Sequence, residues 1–114
     1  MIDKIVHIIL GVSLVISFSN ATANIYDQGK ILYVSFAGNN SNTVRPGIAQ
    51  FEINGGFSQE NCDARYAGIS SDDSHLISLL LTAQSQEKEV EVYLDNQNKY
   101  YSDRCTVKYL VLRS

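Results

Sequence analysis

The chain has no tryptophan, one proline, one methionine, two cysteines and two histidines in 114 residues, and each scarcity closes a class of reading. A single proline and seven glycines exclude a collagen-like or Pro-rich linker sequence. Two cysteines and the one histidine beyond residue 23, His75, with no close spacing among them, are too few ligands for a tetrahedral zinc site, so no metal is expected. No Cys-x-x-Cys pair is present to make a redox-active thiol. The nine basic residues are scattered and the net charge is -3. No basic cluster can track a phosphate backbone, which excludes nucleic acid as a partner. Gly55-Gly56 has neither the spacing nor the lysine of a phosphate-binding loop. The longest apolar run, residues 5–18, is 14 residues long and carries His7 and Gly11. A spanning helix needs roughly 20 apolar residues, so stable membrane insertion is not expected.

That short run, with Lys4 before it and Ala21-Thr22-Ala23 after it, has the form of a cleavable export signal over residues 1–23. The mature chain is then residues 24–114, one domain, in the periplasm or outside the cell. A domain of this size buries only about 60–65% of its unfolded surface, so its core is thin and a covalent staple helps. In an oxidising compartment Cys62 and Cys105 are expected to form a disulfide. With 42 residues between them, the chain-entropy model gives about 4 kcal/mol of stabilisation.

Apolar periodicity divides the mature chain into strands and one helix. Residues 30–37 (KILYVSFA) form a strand with Leu32, Val34 and Phe36 on one face, closed by the turn-rich stretch 38–42. Residues 48–53 alternate as a second strand, followed by Gly55-Gly56, and Cys62 opens a third over 62–69. Ser70 and Asp73 resemble a capping box before a helix over roughly 72–86. In that helix Leu76, Ile77, Leu79, Leu80 and Leu81 cover more than one face, which leaves apolar surface for packing on a partner. A fourth strand places Val90, Val92 and Leu94 inward and Glu89, Glu91 and Tyr93 toward water, and the polar stretch 95–99 ends it. Residues 105–112 make a fifth. The order β-β-β-α-β-β is that of a mainly β, five-stranded OB-fold-like barrel with a helix between its third and fourth strands; a small α+β sandwich fits the same order.

The export signal, a cysteine before the third strand, the helix HLISLLLTAQSQEK, the following EVEVYLD and a second cysteine near the end resemble small exported bacterial proteins related to toxin B subunits, of the subtilase-cytotoxin and pertussis-like type. The resemblance spans about residues 31–112. It implies an OB-fold, a glycan-binding role without catalysis, and assembly into a ring with the helices toward its centre.

Three functional classes follow. The first is a non-enzymatic binding module, for a glycan, in which Tyr100, Tyr101, Asp103 and Arg104 offer aromatic faces and polar groups in one loop. The competing reading is that Tyr100 and Tyr101 pack on the barrel and Asp103 pairs with Arg104 or water. The second is a periplasmic or secreted protein-binding or inhibitor module, using a sheet edge or the loop 38–45. The third is an enzyme, which the residues disfavour. Ser71, Asp72, Asp73, Ser74 and His75 are consecutive at a helix start and cannot converge on one atom as a hydrolase triad must. No cofactor is implied.

Overall fold

The computed structural model describes residues 24–42 and 44–114. The export signal expected over 1–23 lies outside the described residues. The elements are β1 (Asp27–Phe36), β2 (Ala49–Ile53), β3 (Ala67–Ile69), α1 (Ser74–Ser85), β4 (Glu89–Tyr101) and β5 (Arg104–Leu112). The fold is mainly β with one helix. Its strands form a mixed sheet in which β1–β2, β2–β3, β1–β4 and β4–β5 are antiparallel and β3–β5 is parallel. The pairing order β1-β2-β3-β5-β4 returns to β1, so every strand has two neighbours.

The core lies inside this circuit. Phe51, Ile69, Val90, Val92 and Leu80 are fully buried in it, with Phe51 meeting Phe57 edge to face at 5.9 Å. The helix rests on β1, β5 and β4. Leu80 and Ala83 are its buried residues, and Leu76, Ile77 and Leu79 pack against the core from its flanks. Only Leu81 of the expected apolar surplus remains exposed, at 39%. The capping box is not formed. Asp73 occupies the N-cap without a side-chain bond, and Ser70 Oγ instead accepts from the Asp72 amide at 3.4 Å.

Three strand expectations are corrected by local hydrogen bonding. The third strand is short because the Asp63 carboxylate accepts from the amides of Arg65 (2.9 Å) and Tyr66 (2.8 Å), which folds 63–66 into a turn instead of a ladder. The fourth strand does not end at Asp95. Its register against β5 jumps between Asp95 and Lys99, and the extra residues bulge outward while Gln97 N donates to Asp95 Oδ1 and Thr106 Oγ1 to Asn98 O. In β1 a bulge between Ile31 and Tyr33 breaks the expected alternation. Leu32 and Phe36 face solvent at 62% and 57% while Ile31 and Val34 pack on the core.

One buried polar network ties the start of β1 to β4. Asp27 accepts from the Ser58 amide and hydroxyl and from Gln59 Nε2 (2.8 Å). The Gln59 amide also donates to Val92 O (2.9 Å) and accepts from Leu94 N (2.8 Å), so a side chain extends the ladder beyond the start of β1. The Cys62–Cys105 disulfide forms as expected, with Cα atoms 5.5 Å apart. It is compatible with an oxidising, exported compartment. No helix among the described residues is long and apolar enough to cross a membrane.

Candidate functional site

The disulfide decides which side chains meet on the surface. It holds the turn 63–66 against the start of β5, and Asp63 N donates to Asp103 O (2.7 Å) beside it. Arg65 and Tyr66 are thereby set next to Arg104, although some forty residues separate them in sequence. The Arg104 guanidinium lies 4.3 Å from the Tyr66 ring centre and 4.8 Å from that of Tyr101, a cation bridging two aromatic faces. Arg65 lies 4.9 Å from the same Tyr66 ring. Tyr33, from β1, meets Tyr66 at 6.3 Å in an edge contact. The result is a patch of three tyrosines and two arginines drawn from three strands, β1, β4 and β5, and one turn.

The two arginines are not equivalent. Arg65 pairs with Glu52 at 3.0 Å, and this hydrogen bond, with the carboxylate charge, raises its pKa above the ordinary arginine value. Arg104 donates through Nη1 to Gln50 Oε1 (2.9 Å), a neutral acceptor, and forms no ion pair with any carboxylate among the described residues. Its charge is therefore spread over two rings and otherwise uncompensated.

Beneath the patch Tyr100 donates its hydroxyl to the same Gln50 oxygen at 2.8 Å. Its ring is 7% exposed and lies over Gly68, where a Cβ would come within 2.6 Å of the ring. Burial pushes its pKa well above the usual tyrosine value, against the opposing pull of Arg104. Of the residues expected to form a binding loop, Tyr101 (44% exposed) and Arg104 are thus on the surface together, and Tyr100 supports them from below. Asp103 turns away to Lys99 at 3.4 Å rather than pairing with Arg104. Tyr33, Gln50, Glu52, Arg65 and Tyr66 were not among the expected site residues. The signal that could have found two of them was the cysteine pairing itself, since joining Cys62 to Cys105 brings 65–66 to Arg104.

A second aromatic group lies on β4 and β5. Tyr93 stacks on Tyr26 at 5.3 Å and meets Tyr109 edge to face at 5.2 Å. Its hydroxyl donates to Glu91, which also binds Arg113. Desolvation and then the Glu91 bond raise the Tyr93 pKa. Glu91, expected on a wet face, is 8% exposed because these partners cover it.

Among the described residues no group of three or more His, Cys, Asp or Glu side chains is placed to hold a metal ion. Ser71, Asp72 and His75 lie on the turn before α1 and in its first turn, and no hydrogen bond joins their side chains to one another. Compared with family models, curated proteins and solved structures, the chain matches none.

Proposed function

We propose that this chain is an exported, non-enzymatic binding protein that takes a glycan on the patch formed by Tyr33, Tyr66, Tyr101 and Arg104. The observation that carries the reading is the placement of Arg104 across the faces of Tyr66 and Tyr101 with only a neutral hydrogen-bond partner. Aromatic faces accept the apolar side of a sugar ring, and a guanidinium with unused donors takes hydroxyls or an acidic substituent. The architecture is read as an OB-fold-like barrel. A closed pairing order with β3 parallel to β5 and a helix between β3 and β4 supports it, as it supports the toxin-B-like resemblance.

A homo-oligomeric ring centred on the helices has less support, since Leu76, Ile77, Leu79 and Leu80 pack inward and Leu81 alone is exposed. A protein-binding or inhibitor role is favoured by one feature, the exposed Leu32 and Phe36 on β1.

The test is a glycan array with the oxidised chain, followed by titration calorimetry on any hit. Arg104→Ala and Tyr101→Ala are each expected to weaken binding at least about tenfold, the loss of one charge-assisted or stacking contact of about 1.5–3 kcal/mol. Gln50→Glu, which gives Arg104 a carboxylate partner, is expected to weaken an acidic glycan more than a neutral one. Binding that survives all three substitutions removes this patch from consideration, and no binding to any glycan favours the protein-binding reading.

A further inference from the structure

Asn54-Gly55 is the only Asn-Gly pair in the chain. It sits in the tight turn after β2, closed by Gly56 N donating to Ile53 O at 3.0 Å, and Asn54 is exposed. Gly55 has φ +92 and open space where a Cβ would stand. Among the described residues neither the Asn54 side-chain amide nor the Gly55 N–H has a hydrogen-bond partner. An electrophilic carbonyl and a neighbouring unhindered amide nitrogen are therefore both uncommitted, four bonds apart along the chain, so that their joining closes a five-membered ring.

We propose that Asn54 is a site of spontaneous backbone-assisted deamidation in the folded protein. The Gly55 nitrogen gives its proton to water and attacks the Asn54 side-chain carbonyl carbon. A new C–N bond closes a succinimide ring, and the carbon's bond to Nδ2 breaks. Nδ2 takes protons from water and leaves as ammonia. Water then opens the ring at either carbonyl. One opening leaves aspartate on a normal backbone; the other leaves isoaspartate, with the main chain running through the former side-chain carbon. The sum is one water consumed and one ammonia released, with no oxidant or reductant.

The two products differ in what the fold tolerates. Aspartate only adds a charge at an exposed position. Isoaspartate lengthens the main chain in a turn that has no slack, because Asn54 N donates to Lys30 O at 2.8 Å and the Asn54 carbonyl oxygen lies 2.3 Å from where a Cβ on Gly29 would be. The β1–β2 end of the sheet, and with it the loop carrying Ser58 and Gln59, then loses its register.

The experiment is to hold the folded, oxidised chain at neutral to mildly alkaline pH and follow it by peptide mapping, with isoaspartate read out by enzymatic methyl transfer. The expected result is conversion at Asn54 ahead of Asn40 and Asn98 in the same sample. The isoaspartate fraction should also melt at lower temperature than the Asn54→Asp variant, which carries the charge without the longer backbone. Asn54→Ser is expected to abolish the isoaspartate signal. An Asn54 that converts no faster than Asn40 or Asn98 when folded, yet converts readily in the reduced and unfolded chain, would overturn the proposal by showing that the turn protects it.

Discussion

At the scale of single residues, the structure separates two adjacent tyrosines that the sequence presents as alike. Tyr101 lies open beside Arg104, and Tyr100 is sealed over Gly68 with its hydroxyl on Gln50. The difference follows from strand alternation at the end of β4, where successive side chains take opposite faces. Because burial raises the Tyr100 pKa above its unfolded value, the protonated phenol stabilises the fold. That contribution is complete below about pH 10, the unfolded tyrosine value, and is lost as pH rises through the folded value. In alkaline titrations followed by circular dichroism, Tyr100→Phe is therefore expected to lose less stability above about pH 10 than the parent chain. At neutral pH the same variant is expected to be less stable by about 1 kcal/mol, the usual net worth of one hydrogen bond. Tyr101 and Arg104 were legible as near neighbours between the last two strands, with their exposure left open. Gln50, the acceptor shared by Tyr100 and Arg104, was not, because on β2 it is one polar residue in an alternating strand and nothing local marks it as a hub.

At the scale of elements, the helix ends in a Schellman arrangement: Lys88 N donates to Ala83 O at 3.0 Å and Glu87 N to Gln84 O at 3.2 Å. Glu87 supplies the left-handed residue, at φ 54, where glycine is the usual choice. Glu87→Gly is expected to raise the denaturant midpoint, by an increment of about 0.5–1 kcal/mol, since the relief of αL strain outweighs the entropy that glycine adds to the unfolded chain. The helix and the strand order were readable from periodicity, because amphipathic patterns of period 3.6 and 2 are set by burial of one face. The strand ends were not. Asp63 and Asp95 decide them, one by folding its own neighbours into a turn and the other by holding a bulge that lets β4 continue. Both are aspartates in polar stretches, and their composition alone does not distinguish a strand that stops from one that bends.

At the scale of the whole molecule, the disulfide ties the parallel pairing of β3 with β5 to the turn that carries Arg65 and Tyr66. The double variant Cys62→Ala, Cys105→Ala is expected to lose about 2–4 kcal/mol in chemical denaturation. It is also expected to weaken the proposed glycan binding beyond what an equal destabilisation elsewhere produces, with Leu80→Ala as the comparison, since only the cysteine variant frees the two halves of the patch. A mainly β domain with this bridge was legible from length, alternation and two cysteines. Whether the ladder returns from β4 to β1 was left open between the barrel and the sandwich, because it depends on Asp27, Ser58 and Gln59, residues that read as ordinary loop polar groups.

That return has a consequence in time. Asp27 pairs with Val92, and Lys30 with Glu89, so β1 finds one of its two neighbours only after most of the sequence is available. Contacts of such separation carry the largest loop-closure cost and form late. The uncharged segment 31–36 (ILYVSF) pairs with β2 on one side only, because the β4 ladder takes Asp27–Lys30 and stops short of it, so its other side has no strand partner among the described residues even after β4 has docked. Short, uncharged, β-prone segments with open edges are the ones that pair between molecules. Association between chains along this segment is accordingly expected to rise with concentration both during refolding and in the finished fold, which light scattering over a dilution series checks.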